Sequence, residues 1–207
     1  MKKTAVFLLV FVCGFVCACA KQQSAGINKI IDEKFDFEPF YVYDDFASQN
    51  IHYLPTGWMG DVADLKMDMV CTSIKYRGNY CIKMTYNPTQ NSMKQWVGVY
   101  WQNPANNWGD KKGGYNLTGA RRIVFYAKGE RGNEVLSEVK IGGISGVFPD
   151  TDVAWIKNIR LTNEWKEYKI NLSESDLSSI AGGFCVVVSK KDNPNGCVVY
   201  FDEIRYE

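Results

Sequence analysis

Hydrophobic and polar positions alternate with a period of two along much of this chain, and the alternation restarts repeatedly after short turn-forming runs. Trp96–Gln102 is the clearest instance. In an extended segment Trp96, Gly98, Tyr100 and Gln102 share one side, while Val97, Val99 and Trp101 share the other. The valine side reads as core. The segment then runs into 103–119, a stretch crowded with aromatic, amide and glycine residues that include Asn107, Trp108 and Asp110. Similar alternation predicts strands at 40–46, 65–69, 80–87, 121–128, 134–141, 153–161, 165–172, 182–190 and 197–206. Between them, 49–68 reads as a long loop holding Trp58 and the lone His52, with a short strand only at its end, and 173–180 reads as a helical turn. The last two strands, joined through 192–196, read as a closing hairpin. Short strands at regular spacing with almost no helix predict an all-β fold, an antiparallel β-sandwich of jelly-roll type.

Composition narrows the function classes. The chain has 207 residues, 46% of them hydrophobic, enough for one domain with a proper core. With 24 basic and 23 acidic residues the net charge is +1, which argues against nucleic acid as a partner. A single histidine would have to carry any Ser-His-Asp arrangement, and no serine sits in a nucleophile-elbow context. No spaced pair of acids on a strand marks a glycosidase either, so the chain reads as non-catalytic. Asp61, Asp64 and Asp68 do not have the spacing of an EF-hand loop and read as ordinary loop acids.

The N-terminus points to export. Lys2 and Lys3 precede an apolar run at 5–18 that is too short to span a membrane and has the layout of a secretory signal. Val16-Cys17-Ala18-Cys19 has the form of a lipobox, which makes Cys19 the acylated residue, 1–19 the signal peptide and 20–39 a tether. Cleavage after Ala20 to give a plainly secreted protein is the competing reading. No acidic residue directly follows Cys19, as expected of a lipid-anchored protein sorted to a bacterial outer membrane. In an exported chain Cys71 and Cys81, which flank a Gly78-Asn79 turn signal, are expected to form a local disulfide. Cys185 and Cys197 are expected to stay unlinked as small buried residues.

VYDDFAS at 42–48, GGYNLTGARRIVFYAKGE at 113–130, WKEYKINL at 165–172 and DNPNGCVVYFDEIRYE at 192–207 occur in an order that resembles the galactose-binding-domain-like jelly rolls of bacterial carbohydrate-binding modules. The resemblance spans 40–207. It implies a monomeric domain that holds an oligo- or polysaccharide. It also implies a structural Ca²⁺ where first and last strands meet, at Asp45 and Asp202. In that reading Trp58, Trp96, Tyr100 and Trp108 offer stacking faces while Gln102, Asn107 and Asp110 bond sugar hydroxyls. The alternative is a structural or protein-interaction sandwich in which the same aromatics are buried. Exposure of the rings discriminates the two.

Overall fold

The computed structural model describes residues 37–45, 48 and 50–207, which belong to a unit bounded by Phe35–Glu207. The leader, Cys19 and most of the expected tether lie outside the described residues. Among these residues eleven strands account for the regular structure, with one 3-10 turn, Val62–Asp64. They are β1 (Phe40–Tyr43), β2 (Leu54–Gly60), β3 (Leu65–Cys71), β4 (Cys81–Tyr86), β5 (Trp96–Gln102), β6 (Arg122–Gly129), β7 (Val135–Gly142), β8 (Val153–Arg160), β9 (Lys166–Asn171), β10 (Gly182–Ser189) and β11 (Cys197–Tyr206). All pairings are antiparallel. One sheet runs β3-β4-β11-β6-β9, with β1 pairing the far end of β11; the other runs β2-β5-β10-β7-β8. The fold is the antiparallel β-sandwich jelly roll that the alternation predicts.

The inner faces close over one apolar core. Trp101 and Phe184 from the five-stranded sheet meet edge to face, with ring centroids 5.5 Å apart, and Phe184 contacts Phe125 of the facing sheet at 5.4 Å. Burying such large rings supplies much of the driving force for closing a sandwich. Buried tyrosines tie distant segments by their hydroxyls: Tyr206 donates to the Gly183 carbonyl at 2.6 Å and Tyr53 to the Ile180 carbonyl at 2.8 Å. Phe37, placed by the sequence in the tether, packs against this core.

Three expectations are corrected. Residues 54–60 form β2 instead of loop, because pairing with β5 from Leu54 to Gly60 supplies hydrogen bonds that the local sequence does not advertise. Residues 173–180 hold turns and a single bridge, Tyr115 to Ile180, in place of a helical turn. β10 and β11 lie in different sheets and form no hairpin. The connection between them crosses the sandwich, held by Asn193, whose side chain bonds both the amide and the carbonyl of Val135. Cys185 and Cys197 are nevertheless buried and unlinked, as expected.

Candidate functional site

The outward face of the five-stranded sheet follows from register. Gly57, Tyr100, Cys185, Lys140 and Trp155 form one row across β2, β5, β10, β7 and β8, and Met59, Gly98, Val187, Glu138 and Lys157 form the next. Trp96 opposes Ser189 one pair further along. Three strand spacings of about 4.8 Å separate Tyr100 from Trp155 across the sheet, roughly 14 Å.

Two loops cover one end of this face. Residues 103–114 and 143–150 meet where Phe148 donates its amide to the Gly109 carbonyl at 2.9 Å. Gly109 sits at φ +86°, and a Cβ there would lie 2.2 Å from the Ser145 carbonyl, so the approach requires glycine. Asp150 pins the second loop by accepting the amides of Ile144, Ala181 and Gly182. Burial raises the Asp150 carboxyl above its usual range despite those donors. The loops lie over Tyr100, leaving it 3% exposed with its hydroxyl bonded to the Gly142 carbonyl at 2.9 Å.

Several expected contacts are therefore structural. Gln102 and Asn107 are fully buried. The Gln102 amide donates to the Asn107 carbonyl at 2.7 Å and its oxygen accepts from Thr56 at 3.1 Å, while the Asn107 side chain binds the Gly109 and Lys111 amides and the Asn103 carbonyl. With their bonding capacity spent on shaping 103–114, neither faces a ligand; nor does the covered Tyr100. Asp110 accepts the Trp108 amide at 3.1 Å through one oxygen and is itself exposed at the rim. Trp58 opposes Val99 in register, so it lies on the core side of edge strand β2, with its indole N–H on the Pro55 carbonyl at 3.1 Å. It is 39% exposed at the sheet edge, so its ring is open as expected, but not on the outer face with Trp96.

What this face presents to solvent is a different set. Trp108 is 43% exposed at the rim of the loop wall, Trp155 is 53% exposed on β8, and Trp96 is half-buried at the start of β5. Between them lies a charged floor. Glu138 pairs through one oxygen with Lys140 at 3.2 Å and through the other with Lys157 at 3.0 Å. Burial pushes the Glu138 carboxyl up, but the two ammoniums outweigh it and hold the group below its usual value. Lys140 also lies 5.2 Å from the Tyr100 ring centroid, and Lys157 lies 5.6 Å from that of Trp155. Trp155, Lys140, Glu138 and Lys157 were missed in the sequence. The signal was the alternation of Val153, Trp155 and Lys157 against Ala154 and Ile156, but both sides of that strand are partly apolar. A recess of about 660 Å³ lined by Arg121, Arg122, Ile156, Lys169, Asn171 and Ser173 contains no aromatic ring, so it offers no stacking surface.

The expected cation position lies on the other sheet. β1 pairs with the end of β11, bringing Asp45 and Asp202 under the 72–80 loop. Asp202 accepts the amides of Tyr76 at 2.9 Å and Arg77 at 3.1 Å through one oxygen and its neighbour Glu203's amide at 2.9 Å through the other. Asp45 accepts the Asn79 amide at 2.9 Å through Oδ2, whereas its Oδ1 is buried without a hydrogen-bond partner. Burial raises the Asp202 carboxyl to about 6, with the Asp45 charge adding to the rise. An orphaned carboxylate oxygen beside a second carboxylate fits a hard cation. Among the described residues no group of three or more His, Cys, Asp or Glu side chains could hold a metal, so a cation here would need backbone or solvent oxygens besides Asp45 and Asp202. The expected disulfide partners Cys71 and Cys81 are directly opposed in register on β3 and β4, and both are free thiols in the structure.

No family model matches the chain and no curated protein matches it in sequence. Solved structures do. The chain is similar to a family 30 carbohydrate-binding module at 14% identity and a TM-score of 0.56, covering 83% of this chain and 88% of that one. It is also similar to the family 30 module of a cellulosomal cellulase of Clostridium thermocellum, with 15% identity, a TM-score of 0.54, and 82% and 97% covered. A family 11 module from Clostridium thermocellum, solved with a β-1,3-1,4-mixed-linked tetrasaccharide, matches at 16% identity and a TM-score of 0.51, with 79% and 92% covered. At these identities the shared property is the jelly-roll fold.

Proposed function

We propose that this protein is a non-catalytic carbohydrate-binding module whose glycan lies on the outer face of the five-stranded sheet, against Trp155 and Trp108 and toward Trp96. The exposure of Trp155 and Trp108 on either side of a polar floor carries the reading. Flat apolar rings beside hydrogen-bonding groups suit a pyranose, which has apolar faces and polar edges. The jelly roll shared with the modules above supports it, and so does the burial of Tyr100, Gln102 and Asn107, which makes the platform rigid before any ligand arrives. The lipid anchor marked by Cys19 would present this face from a membrane, an arrangement that fractionation of Cys19→Ser tests by release into the soluble phase.

Calorimetry of the full chain against a broad panel of oligosaccharides tests the site. Stacking of one ring should contribute about 0.5–1.5 kcal/mol, by analogy with aromatic pairs. Trp155→Ala is therefore expected to weaken binding severalfold to about tenfold with an unchanged melting temperature. Trp101→Ala, in the core, is expected to lower stability by about 3–5 kcal/mol. Glycan binding untouched by both Trp155→Ala and Trp108→Ala would place the ligand elsewhere.

A further inference from the structure

Resting on the carbohydrate reading, the floor of the platform narrows the class of sugar. Both Glu138 oxygens are engaged, one by Lys140 and one by Lys157. Each ammonium carries three N–H donors, directs one at Glu138, and lies against a ring from which it gains charge–quadrupole attraction. Two lysines against one glutamate leave a charge of +1 on the floor, and the free capacity is in donors. The nearby acids do not reverse this. Asp150 is turned inward onto the Ile144, Ala181 and Gly182 amides, Asp152 onto those of Val153 and Asp176, and Asp192, at the Trp96 end, is held by the Ser137 and Ser189 hydroxyls; Asp110 spends one oxygen on the Trp108 amide and is exposed at the loop rim. Lys111 is occupied by the Ala105 and Asn106 carbonyls, whereas Lys112 is exposed on the same loop.

A neutral sugar hydroxyl both donates and accepts, and a floor whose central carboxylate, Glu138, is already spent on Lys140 and Lys157 serves mainly the accepting half. A carboxylate or sulfate on the ring is acceptor-only and charged, so it matches the free N–H groups and forms the stronger, charge-assisted hydrogen bonds. Lys157 is half exposed beside the most open ring of the face, which places the donor at the edge of a sugar stacked on Trp155. We propose that this face selects acidic glycans, with a uronate carboxylate or sulfate group seated between Lys140 and Lys157 while the ring bearing it rests on Trp155.

The test is calorimetry of the full chain with uronic-acid oligosaccharides and their carboxyl-reduced counterparts, and with sulfated oligosaccharides and their desulfated counterparts, each at low and high salt. The two pairs of arms decide which anion is taken. The charged member of one pair is expected to bind about tenfold or more tightly than its neutral twin. That advantage should shrink as salt screens the partly exposed lysines. Lys157→Gln should erase most of it, weakening the charged member far more than the neutral twin, and thermal melts of the variant should match the parent. Equal affinity within every pair, with Trp155→Ala weakening both members, would overturn the acidic preference and leave the binding face intact. An acidic preference that survives Lys140→Gln together with Lys157→Gln would overturn it also. Binding of no member at all would remove the carbohydrate reading with it.

Discussion

A single carboxylate shows how far one residue can organise a turn here. Glu134 is 2% exposed, and it folds the 129–134 turn by accepting the amides of Arg131 at 2.9 Å, Gly132 at 2.8 Å and Asn133 at 3.0 Å. Burial pushes its carboxyl up, but the ring of backbone donors prevails and holds it below the usual range. With the folded-state pKa depressed, the stabilisation is fully present above the unfolded value of about 4.3 and is lost as pH falls through the lower folded value. Glu134→Gln should therefore cost about 1–3 kcal/mol at pH 7. The difference from the parent should close as both are titrated to acid, as followed by urea unfolding across pH. A gap independent of pH would mean that shape, and not charge, holds the turn. At the same scale, Gln102 and Asn107 were read as amides for sugar hydroxyls; their partners are instead backbone groups of the 103–111 loop and, for Gln102, the distant Thr56 hydroxyl, a distinction that local sequence does not encode.

Among elements, β3 and β4 bring Cys71 and Cys81 into direct register, and cross-strand neighbours have Cα atoms about 4.5–5.5 Å apart, within disulfide reach. Burial raises the Cys71 thiol, but hydrogen bonds led by that of Ser73 outweigh it and leave the thiol below its usual value, more of it ready to attack; burial keeps Cys81 well above its own. In an oxidising compartment the pair is expected to link, closing the 72–80 loop and adding on the order of 2–3 kcal/mol by the loop-entropy model. Peptide mapping of exported protein after alkylation without reductant should recover a joined pair, and two alkylated thiols would end the idea. The closeness of the two cysteines was legible because a turn signal sits between them. β2 was not, since LPTGWMG lacks clean alternation and becomes a strand by docking on β5. The relation of β10 to β11 was misread for a similar reason: a short turn-rich link between two strands looks the same whether the chain returns to its own sheet or crosses to the other.

For the molecule as a whole, the meeting of first and last strands offers a site where a cation would tie the ends of the fold together. Ca²⁺ at Asp45 and Asp202 would satisfy the orphaned Asp45 oxygen and offset the repulsion between two carboxylates. Chelation is then expected to lower the melting temperature, added Ca²⁺ to raise it with concentration, and Asp45→Asn to abolish both responses. A midpoint indifferent to Ca²⁺ in the parent would rule the ion out. The sequence by itself determined the all-β class, the position of ten of the strands and the inward side of β5, because a period of two records which side of a strand avoids water. It also marked the opposed cysteines and, through the resemblance, the acids at the strand ends that meet. Only the tertiary structure decided which outward residues stay open. Two loops distant in sequence fold over Tyr100, and three further strands bring Trp155, Lys140, Glu138 and Lys157 into line with it. Alternation reports the side of a sheet, but whether that side meets water depends on what the rest of the chain lays across it.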